Sequence, residues 1–370
     1  SLDELIERRA RSLFSSNKFA EARFTLCFKH YWCRGLDKRN VKKLPDRLSE
    51  FKKKLRWNTS VDNILVDRDG VPLLAYAATS DSSKVVSQVL TEISKISDSR
   101  KRTSYLNACV PEQGVVSLGI TRGCPTLLGA MMTSRADVVS LLLDSGVDPF
   151  ATDLSGNDGF MSACIFGRTD NVKFWLKRFP DWDVERTNSI AGIAAFGLGI
   201  HMGTKRFELA KLLLTQGSSP TRFNARGSSA LMSLCSNEDS DISVLKHLLG
   251  TSCGNLVNVQ RHAKTLKWKM IYRLAKSVVR FGLSDSGLMR ALASQNGATA
   301  LHHAVQRGDV DVVNLLLENG ADPTIKNDLG KSPVDYCDAF PELRGALKRV
   351  ILQRKEGKPV MLHRRNSTAT

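Results

Sequence analysis

The residues with chemistry to offer are the adjacent pair His302-His303, eight scattered cysteines, and the turn-borne carboxylates Asp153, Asp322 and Asp328. A transition metal needs three or four His, Cys or carboxylate ligands brought together at close spacing. The cysteines stand at 27, 33, 109, 124, 164, 235, 253 and 337 without a CxxC pair, and no further ligand flanks the histidines at a suitable step. Nucleophilic or phosphoryl chemistry would call for a GxSxG elbow, a P-loop, HExxH or the kinase set, and none occurs. The glycine-rich GLGIHMG at 197–203 lacks both the preceding strand and the glycine order of a dinucleotide turn. The chain reads as non-catalytic, with no catalytic, cofactor-binding or metal-binding residues.

Charge offers a second kind of function. The net charge of +17 is carried unevenly along the 370 residues. Residues 1–60 hold 16 Lys and Arg against 7 Asp and Glu; residues 255–296 hold 8 against 1; residues 341–370 hold 8 against 2. The remainder is mildly acidic. Three basic blocks of this kind suit an acidic protein, a nucleic acid or an anionic membrane surface. A content of 42% hydrophobic and 25% charged residues is that of a globular chain, and the longest apolar stretch, around 190–202, is too short to span a bilayer. SLDELIERRARSL places Asp3, Glu4 and Glu7 among its apolar residues, which is not the pattern of a secretory signal. Unpaired cysteine spacing then predicts a reducing compartment, the cytoplasm or nucleus.

The elements that must position these residues recur. NGATALHHAVQRGDVDVVNLLLENGADPTIKN runs from Asn296 to Asn327, and Gly297 to Gly330 is a step of 33, as is Gly123 to Gly156. The same step reaches Ser189, before IAGIAAF; Gly227 opens GSSALMSLC, and Asp69-Gly70 opens DGVPLLAYAATS. In the unit at Gly297, Leu301, Ala304 and Val305 share one helical face, and Val312, Val313, Leu316 and Leu317 another. Gly308 separates the two helices, and Gly320 ends the second as a left-handed cap. Each pair must stack on its neighbours to bury both faces.

This resembles the ankyrin repeat. The family's Gly turn, Thr-Pro-Leu-His, Ala, inter-helix Gly, Val-Val-x-Leu-Leu-Leu and Gly-Ala-Asp fall on Gly297, Thr299-Ala300-Leu301-His302, Ala304, Gly308, Val312 to Leu317 and Gly320-Ala321-Asp322. Ala300 departs from it, and Ser332-Pro333-Val334 restores the proline in the next unit. The resemblance covers about seven or eight partly degenerate repeats over roughly residues 65–345. It implies an all-α solenoid of helix-turn-helix pairs with short hairpin loops. It also implies that His302 is a structural hydrogen-bonding histidine; His303 is expected on an exposed or half-exposed helix face.

The expected organisation is a basic helical cap at 1–62, a solenoid at 63–340 with insertions near 91–120 and 250–296, a capping helix at 341–355, and a flexible basic tail at 356–370. The capping helix would turn Leu343, Leu347, Val350 and Ile351 to the stack. Gly227 and Gly297 lie 70 apart, which predicts a hidden repeat centred on TLKWKMIYRLAKSVVRFGLS. There Leu266, Met270, Ile271, Leu274, Val278 and Phe281 form an apolar stripe, and Lys269, Arg273, Lys276 and Arg280 a basic one. Either the apolar stripe is buried with a solvated basic face outside, or the basic face docks an acidic partner. Trp268 and Phe281, thirteen apart, resemble the anchors of a calmodulin-target helix, a reading that burial in a stack opposes. Arg364-Arg365-Asn366-Ser367 resembles a basophilic kinase site.

Families with this resemblance bind proteins across hairpin tips and first-helix faces. Carried onto this sequence, that implies an interaction scaffold or adaptor using Asp69, Asn157, Arg226 and Lys331 at hairpins and Thr133, Gln306 and Arg307 near first-helix ends. The partner would be one or more proteins with an acidic surface. The alternative is a nucleic-acid-associated component binding through Lys52, Lys53, Lys54, Lys264, Lys269, Arg273, Lys276 and Arg280. That alternative lacks a recognised base-reading module.

Overall fold

The computed structural model describes residues 72–79, 81–109, 123–202, 206–237, 241–283 and 286–356. The chain divides into two compact units, one ending at residue 205 and one starting at Arg206. Every regular element among the described residues is a helix; isolated bridges join Cys109 to Pro125 and Thr187 to Ala194. No helix among them is long and apolar enough to cross a membrane. Within each unit the helix pairs stack as an all-α, ankyrin-type solenoid.

The first unit contains α1 (Leu73–Thr79), α2 (Ser83–Ser94), α3 (Ser99–Leu106), α4 (Thr126–Thr133), α5 (Ala136–Asp144), α6 (Gly159–Ile165), α7 (Thr169–Arg178) and α8 (Ala195–Met202). The short helices α1, α4, α6 and α8 pack in series, as do the longer α2, α5 and α7. Position in the stack explains composition. The inner helices have neighbours on both sides, so all seven residues of α1 are buried and α4 is apolar nearly all round. The outer helices bury one stripe each: Val85, Val86, Val89 and Ile93 in α2, and Val138, Val139 and Leu142 in α5. Ser82 and Asp158 cap α2 and α6 through their side chains, as polar N-cap residues do.

The second unit contains α9 (Arg206–Thr215), α10 (Ala230–Cys235), α11 (Ile242–Leu249), a 3₁₀ turn at Ser252–Leu256, α12 (Leu266–Arg280), α13 (Gly287–Gln295), α14 (Ala300–Arg307), α15 (Val310–Glu318), a 3₁₀ turn at Pro333–Ala339 and α16 (Pro341–Lys355). Leu301, Ala304, Val305, Val312, Val313, Leu316 and Leu317 are all buried in one core with Leu231, Leu245, Leu343, Leu347 and Val350. Ile351 is partly exposed beside them.

Two expectations are corrected here. The hidden repeat between Gly227 and Gly297 is not in the stack. Helix α10 packs directly on α14, and α11 on α15, so the 70-residue step is one repeat plus an excursion. The excursion is the helical pair α12–α13, which leaves the hairpin edge after Lys264 and returns to it at Asn296. There the Arg261 N–H donates to the Ala298 carbonyl (2.8 Å) and the Gly297 N–H to the Arg261 carbonyl (2.7 Å). The second correction is His303, which is only 6% exposed. An inner helix covered by α10 on one side and the 3₁₀ turn at Pro333–Ala339 on the other leaves no solvent face at that position.

Candidate interaction surface

The hairpins are built by a local rule. In Asp153-Leu-Ser-Gly-Asn157 the Asp153 carboxylate accepts from the Ser155 and Asn157 N–H groups at 2.8 and 2.9 Å. Asn224 Oδ1 accepts from Arg226 and Ser228 at 2.9 and 3.0 Å, and Asn327 Oδ1 from Leu329 and Lys331 at 3.0 and 3.1 Å. An Asp or Asn three residues before the left-handed glycine thus closes each tip, as these side chains do in turns. That spacing, Asx-x-x-Gly, stands in the sequence at all three hairpins and marks them better than the glycines alone.

Consecutive tips then stack on one another. A Cβ on Gly156 would lie 2.6 Å from the Ser189 backbone nitrogen, and on Gly297 2.7 Å from that of Asp328. On Gly227 it would lie 2.1 Å from the His262 carbonyl oxygen, and the Lys264 N–H donates to the Ala225 carbonyl at 3.1 Å. Residues 261–264 therefore occupy the next hairpin position after Gly227. Asn258 and Asn107, each upstream of a hairpin, hold the loop that follows an outer helix: Asn258 Oδ1 accepts from Asp322 N–H (2.7 Å) and Asn107 Oδ1 from Asp148 N–H (2.8 Å).

The residues expected to face a partner divide sharply. Asp69, Lys52, Lys53 and Lys54 lie outside the described residues, as do the expected cap at 1–62, the tail from 357 and Ser367. Lys331 is exposed, with its ammonium 5.7 Å from the centre of the Tyr336 ring. Gln306 is half-buried. Asn157 is buried, bonded to Asp153 Oδ2 at 3.0 Å and accepting from Asn188 at 3.1 Å, so its side chain joins two hairpins. The Thr133 hydroxyl turns back onto the Gly129 carbonyl at 2.8 Å. The Arg307 side chain is 7% exposed; it donates to the Cys235 carbonyl at 3.3 Å and pairs with Asp309 at 2.8 Å. Arg168 does the same in the first unit, donating to the Ser134 carbonyl at 2.7 Å. Both arginines satisfy the end of the preceding inner helix, a task that precedes any contact with a partner.

His302 carries the family's structural role. Its Nδ1 accepts from the Thr299 N–H at 3.1 Å and lies 2.9 Å from the Thr299 hydroxyl. Nε2 therefore carries the proton and donates to the Lys331 carbonyl at 3.1 Å. Burial holds the His302 pKa below its usual value. His303 is pushed down to about 3, first by burial and then by the positive Arg261 and by His302. Among the described residues no group of three or more His, Cys, Asp or Glu is placed to hold a metal.

The α12–α13 excursion departs most from the sequence reading. At 3.6 residues per turn, Trp268, Tyr272, Ala275 and Val279 share one side of α12, and Tyr272 and Ala275 are the buried ones. Of the six residues expected inside, Ile271 and Val278 are half-buried, whereas Leu266, Met270, Leu274 and Phe281 point to solvent. The cause is Arg261. Its side chain is buried on the inner side, with Nη2 donating to Tyr272 Oη at 2.8 Å and Nε to the Arg226 carbonyl at 3.3 Å. Desolvation lowers its pKa. Arg226 in turn lies over the Trp268 ring at 4.5 Å, and Lys264 over Phe223 at 4.7 Å. Two cations at the hairpin edge thus draw the polar aromatics inward and turn the aliphatic stripe outward. Arg226, expected to face a partner, is covered on one side by α12. Lys269, Arg273 and Arg280 are exposed and Lys276 is half-buried. Trp268 and Phe281 consequently do not share a face in the folded chain.

Comparison with known proteins agrees with this architecture. A model of ankyrin repeats, in three copies, matches residues 198–327. An ankyrin repeat-containing protein of Schizosaccharomyces pombe is 37% identical over 54 residues, 15% of this chain and 26% of that protein. The mitochondrial disaggregase of Bos taurus is 31% identical over 125 residues, 34% of this chain and 18% of that protein. The ankyrin repeat and KH domain-containing protein mask-1 of Caenorhabditis elegans is 23% identical over 259 residues, 70% of this chain but 9% of its own length. Among solved structures, the ankyrin repeat domain of Bcl-3 aligns over 73% of this chain and 95% of its own, at 20% identity and a TM-score of 0.48. The chain thus spans no more than about a quarter of these curated relatives. With the repeat period, the left-handed hairpin glycines and the Thr-x-x-His cap all observed in the stack, the chain carries ankyrin repeats.

Proposed function

We propose that the chain is a non-catalytic scaffold or adaptor that binds one or more proteins along its hairpin tips and inner-helix ends. Ankyrin repeats generally mediate protein–protein interaction. One observation carries the reading here: the backbone at the tips is satisfied from within, by Asp153, Asn224 and Asn327. Exposed side chains such as Lys331 are then held in register before a partner arrives, which lowers the ordering cost of binding. Such a protein would work in the cytoplasm or nucleus, where the six free cysteines of the described residues stay reduced. Acidic partners suit the basic blocks.

The experiment is affinity purification of the full chain from its native cell at gentle salt, with nuclease treatment. Stoichiometric proteins that survive nuclease and fall away with Lys331→Glu support the scaffold reading. A second reading, association with nucleic acid, is favoured by the exposed Lys269, Arg273 and Arg280 on one helix. It requires binding to mixed RNA or DNA that weakens steeply with salt, and weak affinity even at low salt ends it.

A further inference from the structure

The outward face of α12 has the composition of an interior but lies in solvent. Leu266 is 71% exposed, Met270 60%, Leu274 61% and Phe281 71%. A single exposed leucine is ordinary; four large apolar side chains aligned on one face are not. Leu266, Met270 and Leu274 follow one another at i, i+4 and i+8, and Phe281 continues the row. Such a row is the ridge that packs into the groove of another helix. It runs for about 23 Å along the axis, at about 1.5 Å per residue.

Charge selects the occupant. Helix α12, LKWKMIYRLAKSVVR, contains no acidic residue. Lys269, Arg273, Lys276 and Arg280 form a continuous row along one flank of the ridge, and none of them has a carboxylate partner among the described residues. An interfacial membrane helix spreads its cations over a whole polar face opposite a broad apolar one. Here the cations crowd one border, apart from Lys267, and the opposite border closes at the half-buried Ile271 and Val278. A narrow ridge with a one-sided basic row is complementary to a second helix bearing an apolar groove and a one-sided acidic row.

We infer that the outward face of α12 docks an acidic amphipathic helix of a partner protein, with Leu266, Met270, Leu274 and Phe281 as anchors and Lys269, Arg273, Lys276 and Arg280 setting its orientation. This goes beyond the hairpin surface proposed above, since the excursion lies outside the repeat pattern, and rests on that proposal only in taking the partner to be a protein. Helix-in-groove recognition reads a partner through i, i+3, i+4 and i+7 positions, and paired charges along one flank fix which way the two helices run.

The test places a photo-crosslinking benzoylphenylalanine at Leu274 in the full chain, in its native cell, and sequences the crosslinked peptide. The expected product is a net acidic segment of another protein with apolar residues at helical spacing. Met270→Glu combined with Leu274→Glu should weaken that partner at least about tenfold. The melting temperature should not move, since both side chains are exposed. Crosslinks only to lipid, to nucleic acid, to residues 1–71 of the same chain, or to a segment without acidic charge would overturn the proposal, as would no crosslink at all. Co-sedimentation of the wild-type chain with phosphatidylcholine–phosphatidylserine vesicles, lost in the double variant, would assign the face to a membrane instead. Should the double variant keep every nuclease-resistant partner at full yield while Lys331→Glu loses them, this proposal fails and the hairpin scaffold stands.

Discussion

Arg261 and Tyr272 are bonded Nη2 to Oη at 2.8 Å with both side chains buried, and this contact ties the α12–α13 excursion to the hairpin edge. A buried cation without a hydrogen-bond acceptor is costly, so Tyr272→Phe should destabilise the chain by about 1–3 kcal/mol. Chemical denaturation of the second unit checks this. Unchanged stability would mean that Arg261 is satisfied without Tyr272.

Left-handed glycines should differ by what lies over them. Gly227 and Gly320 both have positive φ, 84° and 87°, but a Cβ on Gly227 meets the His262 carbonyl while one on Gly320 meets nothing within 4 Å. Gly320→Ala should cost about 1–2 kcal/mol from the left-handed backbone alone. Gly227→Ala should cost clearly more, because backbone must move. Equal losses by thermal denaturation would dissolve the distinction.

Acid should weaken the second unit through His303. Its folded pKa of about 3 lies below the ordinary value of 6.5, so between these limits the unfolded chain binds the additional proton. Stability is therefore full above about pH 6.5 and falls toward pH 3, at up to about 1.4 kcal/mol per pH unit from this group. His302, also shifted down, acts in the same direction. Urea midpoints measured from pH 7 to 4 should fall, and the His303 ring resonances should not titrate across that range while the chain stays folded.

Arg307 and Gln306 adjoin in sequence but answer to different neighbours. Arg307→Ala removes a donor to the Cys235 carbonyl and the pair with Asp309, and should cost about 1–3 kcal/mol. Gln306→Ala should stay within about 0.5 kcal/mol. A partner affinity that drops with Gln306→Ala at unchanged stability would place Gln306 in the interface.

Thiol reactivity should follow burial. The buried Cys235 is held up at about 12, mainly by desolvation, and Cys164 lies well above the ordinary thiol range for the same reason. Cys109 is exposed, although partial desolvation raises its thiol as well. Among these three, iodoacetamide should alkylate Cys109 in the native chain and reach Cys164 and Cys235 only on unfolding.

The sequence by itself determined the stack. A 33-residue period, glycines at the hairpins and between helices, and apolar residues at helical spacing over 300–317 are local signals, each fixed by backbone conformation or by one helical face. The Asx-x-x-Gly closure of the hairpins was equally local and equally legible. The role of His302 followed from the family resemblance, and its bonds to Thr299 and Lys331 match it.

Tertiary structure decided the rest, because those choices depend on which neighbour arrives. His303 is buried since α14 is covered on both sides, which no single helix reveals. Arg307 and Asn157 look like surface polar residues in sequence, yet they close bonds between successive repeats. Helix α12 carries a second stripe, Trp268, Tyr272, Ala275 and Val279, beside the aliphatic one, and periodicity alone cannot say which turns inward. The buried Arg261, eleven residues before Tyr272 and bonded to it only in the folded chain, makes that choice and leaves Leu266, Met270, Leu274 and Phe281 in solvent.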